Sequence, residues 1–127
     1  MTSLIYLLLS IIMAIQNING KELKKMLAEN PEELEIVDVR EQDEFDMVKI
    51  KNSKLIPLQE IGMRIGEIDW NKKVVLVCRS GSRSGYVGQI LAQNGKEVLN
   101  LQSGIYELNL DQCDCLEKDP DCCEGYF

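Results

Sequence analysis

The chain has 127 residues, with 14 Lys and Arg against 21 Asp and Glu, five cysteines and no histidine. That length forms one domain with a real core, and 45% hydrophobic with 28% charged residues marks the chain as globular. The missing histidine excludes Ser-His-Asp and Cys-His catalysis and imidazole metal sites, and the net charge of −7 argues against a nucleic-acid partner.

Leu4 to Ile15 is almost unbroken hydrocarbon, yet its twelve residues fall short of the roughly 20 that span a bilayer as a helix. The first positive charge is Lys21, so no basic region precedes this stretch as a signal peptide would require. Residues 1–14 therefore read as a degenerate signal or membrane anchor, as an apolar element packed on the body, or as residues upstream of a start at Met13. A cytoplasmic location is expected, with export or membrane anchoring as the alternative.

From Asn19 onwards, helical and strand signals alternate. Asn19 with Glu22 is a capping-box pattern; Leu23, Met26 and Leu27 follow at helical spacing, and Asn30-Pro31 ends the helix. Ile36 to Val39 and Lys54 to Ile56 read as short strands. Ile61, Ile65 and Ile68 indicate a helix weakened by Gly62 and Gly66. Val74 to Val77 is apolar throughout, as a central parallel strand should be. A helix follows from Ser82 with Tyr86, Val87, Ile90 and Leu91 inward and Asn94-Gly95 at its end; Val98 to Leu101 is a last strand. Trp70 beside Lys72 and Lys73 reads as a packed aromatic at a solvated turn. The alternation predicts an α/β sandwich with a mainly parallel sheet and right-handed crossovers.

The acidity is local. In residues 111–127 six carboxylates against Lys118 give −5, whereas the remainder has 15 acids against 13 bases, or −2. That segment holds Cys113, Cys115, Cys122 and Cys123 without helical or strand periodicity, and is expected to be an appendage to a domain spanning 15–110. Its cysteines are open to three uses: a resolving thiol set, a soft-metal site, or disulfides in which Cys122 and Cys123 each pair with Cys113 or Cys115. The plainest reading is a flexible tail with incidental thiols. A sharper one is that a tail thiol takes sulfur from Cys78.

Cys78 ends the predicted central strand, followed by Arg79, Ser80, Gly81, Ser82, Arg83 and Ser84 before the helix. An α/β sheet places its ligand site here, where a strand's carboxyl end meets a helix N-terminus and unpaired N–H groups form an anion cradle. Gly81 permits tight curvature, and two guanidinium groups add positive charge. A thiol in that field has a lowered pKa and needs no base to activate it. The bland alternative is that Cys78 is a small buried core residue.

The run Cys78 to Ser84 resembles the active-site loop of rhodanese-like sulfurtransferases. Asp38-Val39-Arg40-Glu41 with Glu44-Phe45, Ile56-Pro57-Leu58 and Leu101 to Ile105 resemble further landmarks of that family in order, over about Ile15 to Leu110. The resemblance implies a rhodanese-like α/β sandwich with a mainly parallel sheet of about five strands flanked by helices. It implies a thiosulfate or persulfide sulfurtransferase in which Cys78 is the catalytic nucleophile and carries the sulfur as a persulfide. Arg79, Ser80, Gly81, Ser82, Arg83 and Ser84 would hold the donor, with no cofactor and no metal. Asp38 and Arg40 would support the loop, although a structural ion pair at a strand end serves equally well. The expected partners are a small-molecule or protein sulfur donor and a thiol acceptor; nucleic acid is not among them, membrane contact would run through residues 1–14, and the chain would be a monomer.

The chain departs from the family where Val48-Lys49-Ile50-Lys51-Asn52-Ser53, Ser103 and Leu108 stand, positions that touch packing and pocket shape. Two rivals remain. A phosphatase or arsenate reductase on this scaffold needs arginine at the sixth position after cysteine; that position is Ser84, and Arg83 comes one too early. A non-catalytic or carrier module relaying persulfide sulfur to a protein partner needs the same loop, and sequence hardly separates it from the enzyme.

Overall fold

The structure, a computed structural model, describes residues 3–7 and 15–121. Of the apolar N-terminal stretch, residues 3–7 form a helical turn whose Leu4, Ile5, Tyr6 and Leu7 are exposed, and Ile15 opens the first strand; 8–14 lie outside the described residues. Among the described residues no helix is long and apolar enough to cross a membrane.

Five parallel strands make the central sheet: β1 (Ile15–Ile18), β2 (Leu34–Asp38), β4 (Lys54–Leu55), β5 (Lys73–Val77) and β6 (Val98–Leu101), in the order β1-β6-β5-β2-β4. The expected α/β architecture and parallel sheet are borne out. β5 lies at the centre because every second residue serves a different face. Val75 and Val77 join the core formed with Leu23, Leu101, Ile105 and Leu108, while Val74, Leu76 and Cys78 join the one formed with Val87 and Leu91. Where a strand is buried on both sides it has to be apolar at each position, as Val74 to Val77 are after the exposed Lys73.

Helices α1 (Gly20–Glu29), α2 (Gln42–Met47), α3 (Ile61–Arg64), α4 (Ser82–Gln93) and α5 (Gly104–Leu110) connect and cover the strands. The capping box at α1 forms as expected: the Glu22 N–H donates to Asn19 Oδ1 at 2.8 Å, and the Asn19 N–H donates to Glu22 Oε1 at 3.4 Å. Tyr86 is a correction. It is exposed on α4, and the buried face is Ser84, Val87, Gly88, Leu91 and Ala92. The helix lies close on the sheet at Gly88, where an added Cβ would stand in ordinary contact with Val98 Cγ2 at 3.5 Å and Leu76 Cδ1 at 3.6 Å.

The acidic segment needs a second correction. Residues 111–121 pack on the domain instead of hanging from it. β7 (Leu116–Lys118) pairs antiparallel with β3 (Val48–Ile50), Leu116 is buried, and Cys113 is bonded to Cys115. A three-residue strand with one buried side chain is too short to announce itself by alternation. Cys122 and Cys123 lie outside the described residues, as do 124–127.

Candidate active site

β5 delivers Cys78 to the carboxyl end of the sheet, with β2 and β6 on either side. The chain then turns through Arg79, Ser80 and Gly81 into α4. Gly81 is the helix's N-cap at φ +94°, and a side chain there would overlap the Gln102 carbonyl oxygen. This curl aims hydrogen-bond donors at the sulfur. Cys78 Sγ accepts from the Gly81 N–H at 3.0 Å, from the Ser84 N–H at 3.5 Å and from the Ser84 hydroxyl at 3.4 Å.

Cys78 is fully buried, and burial alone pushes its thiol up. Hydrogen bonds from the Ser84 hydroxyl and from the amides of Ser84, Ser80 and Gly81 outweigh that, and the net shift is downward. The thiolate is therefore stabilised by fixed dipoles, without an imidazole.

Behind the sulfur lies a polar relay that local sequence patterns did not reveal. The Ser84 hydroxyl also reaches Asn100 Oδ1 at 2.5 Å, and the Asn100 amide donates to Asn17 Oδ1 at 3.0 Å and to the Gly81 carbonyl at 3.3 Å. Those two donations orient Asn100 with its oxygen toward Ser84. One hydroxyl proton thus has two acceptors within reach, the Asn100 oxygen and Cys78 Sγ. Ser84→Ala should raise the pH midpoint of Cys78 alkylation by about one unit, since a hydrogen bond to a charged group is worth about 1.5–3 kcal/mol and the contact is long. A midpoint in the wild type at or above that of an ordinary thiol would contradict this account of the cradle.

The two arginines differ in their surroundings. Arg83 makes a bidentate pair with Glu44, at 2.7 and 2.9 Å, so a carboxylate on α2 already answers its charge. Arg79 lies over the Tyr106 ring at 5.5 Å. Ser80 and Ser82 are on the loop and at the start of α4.

Asp38 and Arg40 are wholly buried and paired. Arg40 Nε donates to both Asp38 oxygens at 2.9 and 3.1 Å, and one Nη donates to Asp38 Oδ2 at 2.8 Å. The guanidinium also donates to the carbonyls of Val48 at 2.6 Å and Glu44 at 3.4 Å. It thereby fastens the C-terminal turn of α2, whose Glu44 in turn holds Arg83. Their visible work is structural: an ion pair that positions α2 beside the loop.

With this geometry in view, a family model described as a rhodanese-like domain matches residues 19–111. The chain belongs to the rhodanese-like domain family. It is 35% identical over 92 residues to "Sulfurtransferase" of Allochromatium vinosum, a match covering 72% of this chain and 85% of that protein. It is 33% identical over 85 residues to "Putative sulfur carrier protein YrkF" of Bacillus subtilis, covering 66% of this chain and 46% of the relative, so the chain spans about half of that protein's length. Among solved structures it is similar to a rhodanese-like domain protein from Staphylococcus aureus, at TM-score 0.70 and 33% identity, covering 82% of this chain and 98% of that one.

Proposed function

We propose that this rhodanese-like domain is a sulfurtransferase in which Cys78 takes a sulfane sulfur from a donor, holds it as a persulfide and passes it to a thiol. The observation that carries this reading is the cradle of N–H and hydroxyl donors around Cys78 Sγ at the start of α4. The Cys78 thiolate attacks the outer sulfur of the donor. A Cys78–sulfur bond forms, the donor's own sulfur–sulfur bond breaks, and its electron pair leaves on sulfite or on a thiolate. An acceptor thiolate then attacks the outer sulfur of the persulfide, and Cys78 departs as a thiolate. The same donors stabilise an anion before and after each step. Similarity to a protein whose name is "Sulfurtransferase" supports this assignment.

A second reading is a carrier that receives its sulfur from a persulfide on a partner. Two observations favour it over a thiosulfate enzyme: the Glu44 carboxylate offsets the charge of Arg83, which weakens attraction for a small dianion, and a relative is named as a sulfur carrier. One experiment tests both. Intact mass after exposure to thiosulfate, or to a small-molecule persulfide, should rise by about 32 Da at Cys78 and not in Cys78→Ser. Labelling by the persulfide alone selects the carrier, labelling by both selects the enzyme, and labelling by neither removes the sulfur-transfer reading.

A further inference from the structure

We propose that Cys113 and Cys115 form a second thiol-chemistry site, a redox pair that undergoes disulfide exchange with a low-molecular-weight thiol. The pair sits just past the far end of α5 from Cys78: Gly104 at the start of that helix abuts the Cys78 loop, and seven residues of helix carry the chain about 10 Å away. The site is therefore separate from the persulfide centre.

The bond does little for the fold. It joins residues two apart, and the constraint a disulfide places on the unfolded chain grows with the loop it closes. The segment is anchored by other means. The Lys51 N–H donates to the Cys115 carbonyl at 2.8 Å, the Asp119 N–H donates to the Met47 carbonyl at 2.9 Å, and Leu116 is in the core. Both cysteines are half-buried at the edge of a groove of ≈ 540 Å³, which Lys24, Leu27, Asp111 and Asp114 help to line. Lys24 and Asp111 pair there at 3.4 Å, and Asp114 adds a second carboxylate, so the groove carries both signs of charge for a zwitterionic thiol to meet.

The pair is also polarised. The Cys115 N–H donates to Cys113 Sγ at 3.2 Å, so a developing thiolate is better stabilised on Cys113. An incoming thiolate attacks Cys115 Sγ and bonds to it. The Cys113–Cys115 bond breaks, and its electron pair leaves on Cys113. A second thiolate attacks the incoming thiol's sulfur in the mixed disulfide, releasing the oxidised thiol dimer and the Cys115 thiolate. Two thiols are oxidised and one disulfide is reduced; the reverse sequence reoxidises the pair.

The test equilibrates the full-length protein with glutathione of varied redox ratio, quenches it by alkylation and maps the tryptic peptides. Cleavage after Lys96 and Lys118 isolates Cys113 and Cys115 from the other three cysteines. A hundredfold rise in [GSH]²/[GSSG] about the midpoint should carry the pair from about nine-tenths disulfide to about nine-tenths dithiol, with the circular dichroism of the fold unchanged. At early times the glutathione adduct should lie on Cys115. A pair that stays oxidised until the fold is lost, or reduced at every ratio, overturns the proposal; an adduct on Cys113 overturns its polarity. In Cys115→Ser the two-electron transition of this peptide should vanish.

Discussion

Arg40→Met should destabilise the fold by about 3–5 kcal/mol, the usual cost of stranding one member of a buried ion pair. Domains of this kind are stable by only about 5–15 kcal/mol, so the loss is a large share of the total. The reason lies in what methionine cannot supply. Asp38 would keep only the Arg40 backbone N–H, at 3.0 Å, among the donors Arg40 now provides, and the Val48 carbonyl would lose the guanidinium that now bonds it. Both are groups without access to water, and an unmet buried acceptor is penalised more than a formed hydrogen bond is rewarded. Urea unfolding of Arg40→Met, Asp38→Leu and the double variant measures the effect. The double variant should recover part of the loss, because it removes the orphaned carboxylate along with its partner. If Arg40→Met unfolds at the wild-type midpoint, the pair contributes nothing to the fold. Its position would then have to be explained by the loop alone.

How much of this was legible in the sequence follows from the range of each interaction. The strands β2, β5 and β6 could be read because an apolar run is a local signal, and so could the Cys78 loop, whose donors and bend are contiguous. β1 could not: Ile15–Ile18 is an edge strand with two exposed residues among its four, and it carries no clean alternation. β7 escaped for the same reason. The Glu44 partner of Arg83 is 39 positions away, and Asn100 reaches Ser84 across 16. Such polar contacts are set by which strand ends the topology brings together, and no period in the chain encodes them. Tyr86 fell on the wrong face because its helix packs on the sheet through Ser84 and Gly88, small residues that an apolar-stripe argument passes over. The resemblance implied that Arg83 holds an anionic donor, and a motif matched within the loop cannot report a carboxylate 39 positions away that already touches the guanidinium.

Gly104→Ala should impair sulfur transfer beyond what its loss of folded protein explains. Gly104 has φ +63°, which by itself makes a side chain strained, at about 1–3 kcal/mol. The added methyl would also overlap the Arg79 carbonyl and stand 2.6 Å from the Cys78 carbonyl oxygen. Those are backbone atoms of the cysteine loop, so no rotamer can relieve the overlap. The next two residues fasten the same place: the Ile105 N–H donates to the Cys78 carbonyl and the Tyr106 N–H to the Arg79 carbonyl, each at 3.0 Å. The helix start and the loop must therefore separate together, shifting Cys78 Sγ relative to its donors on Gly81 and Ser84. A displacement near 1 Å at a reacting atom costs about a hundredfold in rate. Gly62→Ala is the matched control, because open space surrounds that position in α3 and the change should leave both stability and transfer near wild type. The comparison is read by persulfide transfer rates at equal folded fraction. A Gly104→Ala protein that transfers sulfur at the control's rate would show that the loop holds its geometry without α5 pressed against it.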